Sequence, residues 1–146
     1  MAITNDPAFS VYALSAVFIS VHMILLDSYS GVVRAKAKVT PNKEDARSAA
    51  TVALEEPEEV ARVMRAHRNL LVNAVPLLVL GLVMVLLGTT KTTAMAYFGT
   101  FIVARLGHTF AYLGGKQPWR SIFFTIGQLA ILGVAYQVVR GALAGL

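Results

Sequence analysis

The sequence contains no cysteine, and its 146 residues include only 14% charged side chains and a single tryptophan. The missing cysteine excludes a disulfide scaffold, a thiolate metal site and a cysteine nucleophile. The scarcity of charge tells against an ordinary soluble enzyme, in which about 25% of residues are charged. In place of charge stands apolar surface. Hydrophobic residues make up 56% of the chain, against about 45–50% in a typical soluble domain, and they are gathered into long runs. The net charge of +5 is equally uneven, with eight of the thirteen basic residues between Arg34 and Arg68. A surface that tracks nucleic-acid phosphates would spread them along a face, so nucleic acid is not an expected partner.

A bilayer-crossing helix needs about 20 mainly apolar residues. Four stretches meet this, at about residues 9–26, 70–88, 92–113 and 122–139. The first has no formal charge, and its leader Met1–Pro7 lacks the basic residues of a signal peptide, so it is expected to be a retained helix. Pro76 falls inside the second stretch, where it marks a bend more readily than an end, because neighbouring helices can satisfy the freed carbonyl. The expectation is an all-α, integral membrane four-helix bundle forming one domain over residues 1–146. Its long polar loop covers residues 27–69, and Glu55, Glu56, Glu58 and Glu59 sit ahead of a helix-forming stretch, where the helix dipole favours acids. Four crossings leave both termini on one face. The opposite face carries ten Lys and Arg residues, while the terminal face has Lys91 and Arg140, so the long loop is expected in the cytoplasm and the termini in the lumen or periplasm.

Several polar groups stand where a membrane tolerates few. Arg105, His108, Thr109 and Tyr112 share one helical face by spacing, and Arg65, Arg68, Asn69 and Val72 repeat that spacing at the start of the second span. Pro118-Trp119-Arg120-Ser121 opens the fourth span. Proline suits the first helical position, which would put Arg120 and Ser121 beside unpaired backbone N–H groups that attract anions. With Arg34, five guanidiniums gather near the cytoplasmic boundary, with Asp45 the nearby acid outside the glutamate run. Uncompensated, such a cluster is costly. An anionic ligand carrying carboxylates would complete it, since guanidinium matches carboxylate geometry better than lysine does. Other residues have plainer readings. Lys36 and Lys38 suit snorkelling anchors, Trp119 an interfacial belt, and His22 a packed or interfacial position.

Arg65-Ala66-His67-Arg68-Asn69, followed by Asn73 and Pro76, resembles the signature of the MAPEG family (membrane-associated proteins in eicosanoid and glutathione metabolism). The run Gly107-His108-Thr109-Phe110-Ala111-Tyr112-Leu113-Gly114 and the later Arg120-Ser121 resemble its prostaglandin E synthase branch in particular. Gly31-Val32-Val33-Arg34 and Asn42-Lys43-Glu44-Asp45-Ala46 fit the same pattern. The resemblance implies a homotrimer that binds glutathione between subunits near the cytoplasmic side. Carried over position by position, it implies glutathione contacts at Arg34, Arg65, Arg68, Asn69, His108, Tyr112, Arg120 and Ser121. Arg120 and Ser121 would stand beside the sulfur, and Asp45 would work with Arg120. Three departures are visible. Val72 stands where the family has a glutamate, Phe124 where the prostaglandin branch has a tyrosine, and Ala61 where an acid precedes the signature.

The chemistry implied is thiol activation. A cysteine thiol has a pKa of about 8.5, and each unit of depression needs about 1.36 kcal/mol of extra stabilisation of the thiolate. The implied protein is a glutathione-dependent membrane transferase, isomerase or peroxidase that takes a lipophilic electrophile or peroxide from the bilayer. The rival within the family is a non-catalytic lipid-binding scaffold, which Val72 and Phe124 favour and Arg68, Asn69, Arg120 and Ser121 oppose. A four-helix transporter would want an acid within a span, and none is present.

Overall fold

The computed structural model describes residues 5–46, 51–52 and 55–145. Four helices follow one another: α1 (Pro7–Ala37), α2 (Glu58–Leu86), α3 (Lys91–Leu113) and α4 (Trp119–Ala144). Asp6 caps α1, its carboxylate accepting from the Ala8 amide at 2.7 Å, with Pro7 preset at the first position. Thr90 caps α3 by accepting from the Thr93 amide at 3.1 Å. α2 runs unbroken through Pro76, as the sequence predicts.

The polar stretch 27–69 is less of a loop than its composition suggests. α1 continues past the apolar run to Ala37, and α2 begins at Glu58, with Glu58 and Glu59 in its first turn. At 1.5 Å per residue, α1 is about 46 Å long against about 30 Å of hydrocarbon, so it is longer than a crossing requires, and its last turns carry Arg34 and Lys36. Between the helices lie a 3-10 turn, Lys43–Asp45, and a two-residue parallel pairing of β1 (Val39–Thr40) with β2 (Thr51–Val52).

Among the described residues, α1, α2 and α4 are long and apolar enough to cross a membrane. α3 is not among them, since Lys91, Arg105, His108 and several threonines interrupt its apolar run. It packs against the other three helices, and Arg105, His108 and Thr109 are buried among them. The core of Ile19, Ala74, Leu77, Met84, Phe98, Phe101 and Val134 joins all four helices. Side-chain ties add direction: Thr109 to His22 at 3.2 Å joins α3 to α1, and Gln137 to Tyr97 at 3.3 Å joins α4 to α3. The outer faces are apolar and exposed, with Leu14, Val17, Val21 and Ile24 on α1 and Val72, Val75 and Val79 on α2. Such stripes suit lipid or a neighbouring protein rather than water.

Candidate functional site

The polar residues picked out from the sequence collect at the end of the bundle where α2 and α4 begin and α3 ends. Arg105 is the innermost. It is 1% exposed, donates from one terminal nitrogen to Asn69 Oδ1 at 3.1 Å, and leaves Nε and its other terminal nitrogen without partners among the described residues. Its guanidinium lies against two rings, 5.1 Å from the centroid of Phe101 and 5.5 Å from that of Phe124. His108, one turn further along α3, is buried between Tyr112 (5.5 Å) and Phe124 (6.1 Å). Tyr112 in turn carries the Arg120 guanidinium 5.0 Å from its ring, and Arg65 is within reach of its hydroxyl. Asn69, Arg105, Phe124, His108, Tyr112, Arg120 and Arg65 therefore form one connected chain across α2, α3 and α4.

A cleft of about 330 Å³ opens beside this chain, lined by Arg65, Arg68, Asn69, Val72, Asn73, Phe124 and Gln128. A second, of about 390 Å³, shares Arg65 and Arg68 and is bounded by Glu56, Ala61 and Leu71. The departures noted in the sequence all line these hollows, so Val72, Phe124 and Ala61 make the walls more apolar. Arg68 reaches both clefts and forms no ion pair among the described residues.

The arginines are not all uncompensated. Glu56 pairs with Arg34. Glu58 accepts from Arg62 at 3.2 Å and from Arg65 at 2.7 Å. The helical spacing of Glu58, Arg62 and Arg65 (i, i+4, i+7) is a local sequence signal for this pairing. At this end of the bundle Arg68, Arg105 and Arg120 remain without an acid among the described residues, as does Arg140 near the far end of α4.

Arg65 holds the Glu58 carboxylate below its ordinary range, chiefly through their hydrogen bond. A depressed folded value means the link is complete above the ordinary carboxylate pKa and is lost as pH falls through the depressed one. In a carbon-NMR titration of the Glu58 carboxylate, the wild-type midpoint is expected to lie below that of Arg65→Gln. Equal midpoints would break the assignment.

Two expected site residues stand apart. Arg34 sits at the end of α1 with Glu56. Asp45 lies in the 3-10 turn, where it accepts from Asn42 at 3.0 Å, and no ion pair joins it to Arg120 among the described residues. Thr109 leaves the expected helical face, turning to His22 on α1.

The start of α4 also differs from expectation. Pro118 is the capping residue and Trp119 the first helical one. The Arg120 amide donates to the Lys116 carbonyl, and the Ser121 amide to that of Pro118, at 3.2 and 3.0 Å. The helix terminus thus offers an anion side chains rather than free N–H groups at these positions. Ser121 instead contacts the Gln117 side chain at 3.2 Å. With its oxygen turned to the guanidinium, the Gln117 amide accepts from Arg120 at 2.7 and 3.1 Å and donates to Ser121 at 3.2 Å.

Residues 12–140 match the MAPEG family. Prostaglandin E synthase of Homo sapiens is 33% identical over 139 residues, covering 94% of this chain and 91% of that protein. Microsomal glutathione S-transferase 1 of Homo sapiens is 34% identical over 147 residues, 97% of this chain and 95% of that protein. The same transferase of Rattus norvegicus is 38% identical over 142 residues, covering 93% and 90%. The matched segment reaches into all four helices and takes in the whole basic end, and on that evidence the chain belongs to the MAPEG family.

Proposed function

We propose that this chain is a glutathione-dependent membrane enzyme that activates the glutathione thiol against lipophilic electrophiles or peroxides. The observation that carries the reading is Arg68, a cation with no acid partner among the described residues that lines a cleft with apolar walls, with Arg105 and Arg120, likewise unpaired, reached from it through Asn69 and Phe124. The full-length similarity to a prostaglandin E synthase and to glutathione S-transferases supports it. Glutathione would bring two carboxylates, an amine and a nucleophilic sulfur. The residues present fit it: Arg65, Arg68 and Asn69 on α2, with His108 and Tyr112 on α3, would hold its charged and amide groups. Arg120 and Ser121 would stand beside the sulfur, the guanidinium favouring the thiolate and the hydroxyl donating one hydrogen bond. The proton released goes to solvent. An apolar co-substrate would enter from the bilayer along the wall that includes Val72 and Phe124.

The active assembly in this reading is a homotrimer. Arg34 and Asp45 stand away from Arg120 within one chain, and a site completed at the junction of two subunits would use them. The topology has four crossings, with the basic end and the connection between α1 and α2 in the cytoplasm and both termini in the lumen or periplasm. The second reading, a lipid-binding member without catalysis, draws on Val72 and Phe124, which replace polar groups on the cleft wall. Calorimetric titration with glutathione separates the two. The enzyme reading expects saturable heat that weakens by about tenfold in affinity for Arg68→Ala, the loss of about 1.4 kcal/mol typical of a charge-assisted contact. No heat with the wild type would favour the scaffold.

A further inference from the structure

We infer that Gln117 is a positioning residue for the thiol site, its single side-chain amide holding Arg120 and Ser121 in one arrangement. The inference rests on the glutathione reading given above. Gln117 precedes α4 and its side chain turns back over the first helical turn. An amide nitrogen facing the guanidinium would set donor against donor. The opposite orientation satisfies three contacts at once, two from the Nε and terminal nitrogen of Arg120 at 3.1 and 2.7 Å, and one to the Ser121 hydroxyl at 3.2 Å. The oxygen thus grips one edge of the guanidinium, while Tyr112 supports its face at 5.0 Å. The terminal nitrogen not bound to Gln117 has no partner among the described residues, so that edge remains for a ligand anion.

The neutrality of Gln117 matters as much as its reach. A carboxylate there would grip Arg120 more strongly but cancel the charge that a thiolate needs. It would also deprive Ser121 of its amide donor. Around Arg120 the other titratable groups are Tyr112 and His108 on α3, and Arg65 on α2 beyond the Tyr112 ring. None of these is a carboxylic acid, so among the described residues of one chain a carboxylate at 117 would be the first anion in contact with the guanidinium.

The test uses the full-length protein with glutathione and follows thiolate absorbance against pH. Gln117 is exposed, and Gln117→Glu is nearly isosteric, so folding is checked simply by the thermal midpoint. Gln117→Glu is expected to raise the bound-thiol midpoint by about one unit, which is tenfold less thiolate at a given pH below it. Gln117→Met, which frees the guanidinium without adding charge, is expected to raise it by a smaller amount. If the wild type shows a thiolate and both variants titrate with its midpoint, Gln117 is only a turn residue and the inference fails alone. If the wild type shows no thiolate at any pH, the glutathione reading itself fails and takes the inference with it.

Discussion

Arg120→Ala is expected to lower kcat/KM for conjugation of glutathione to an aromatic electrophile by about 10²–10³-fold, the usual cost of losing one preorganised group aimed at a developing or reacting anion. Arg120 is a cation supported on three sides, by the Tyr112 ring, the Gln117 amide and its own helix, and none of these supports is an acid. Little of its charge is therefore spent within the protein. Removing it leaves Ser121 with one hydroxyl donor, which by itself contributes about 1 kcal/mol. The loss should appear in kcat more than in glutathione affinity, because Arg65, Arg68 and Asn69 would hold the carboxylate end independently. Arg120→Lys should fall between, keeping a charge but losing the fork that Gln117 grips and the flat face that Tyr112 supports. Steady-state rates and calorimetric affinities for the three proteins check this. Arg120→Ala within about threefold of wild type would remove the residue from the mechanism.

The sequence revealed those parts of the molecule that depend on local patterns. The four helices, the continuation of α2 through Pro76 and the acids at its start all follow from spacing and end signals over a few residues. The same holds for the cationic end, since Arg65, Arg68, Arg120 and Ser121 sit within short recognisable runs. Features decided by tertiary packing were not legible. The hydrogen bond from Arg105 to Asn69 spans 36 residues, and nothing in the composition pairs them. Thr109 shares a helical face with His108 by arithmetic, yet a face wide enough to touch two neighbours is divided between them, and Thr109 goes to α1. The neutralisation of Arg34 by Glu56 depends on how the connection between α1 and α2 folds back. Glu58 with Arg62 and Arg65 is different, because that pattern was local and could have been seen. Gln117 was hidden for another reason. Turn chemistry explains a Gly-Gly-Lys-Gln-Pro run well enough that the side chain attracts no further question.

Gly127→Ala is expected to lower the thermal midpoint and disturb the site together, although alanine is the better helix former by about 1 kcal/mol. A Cβ at Gly127 would lie 2.5 Å from a terminal nitrogen of Arg105 and 2.9 Å from both its Cζ and Nε. Overlap of that size is cheap only when the obstructing group can swing aside. Arg105 cannot do so freely, since Asn69 holds one nitrogen and the rings of Phe101 and Phe124 lie against the guanidinium. Moving it would also strain Asn69 and Phe124, two residues that line the cleft. Overpacking of this kind costs about 1–3 kcal/mol, which outweighs the gain in propensity and corresponds to a fall of several degrees, at about 2–8 °C per kcal/mol for domains of this size range. Gly127→Leu, with three more carbons directed at the same place, should prevent stable folding. The double variant Gly127→Ala with Arg105→Met should recover most of the loss, since methionine is flexible and apolar and its introduction removes a buried charge with two nitrogens unpartnered among the described residues. Thermal unfolding of the four proteins in one detergent, followed by helical circular dichroism, provides the comparison. A Gly127→Ala midpoint above wild type would mean that Arg105 leaves its place without cost, and the guanidinium would then be a passenger in the bundle rather than the link between Asn69 and α4.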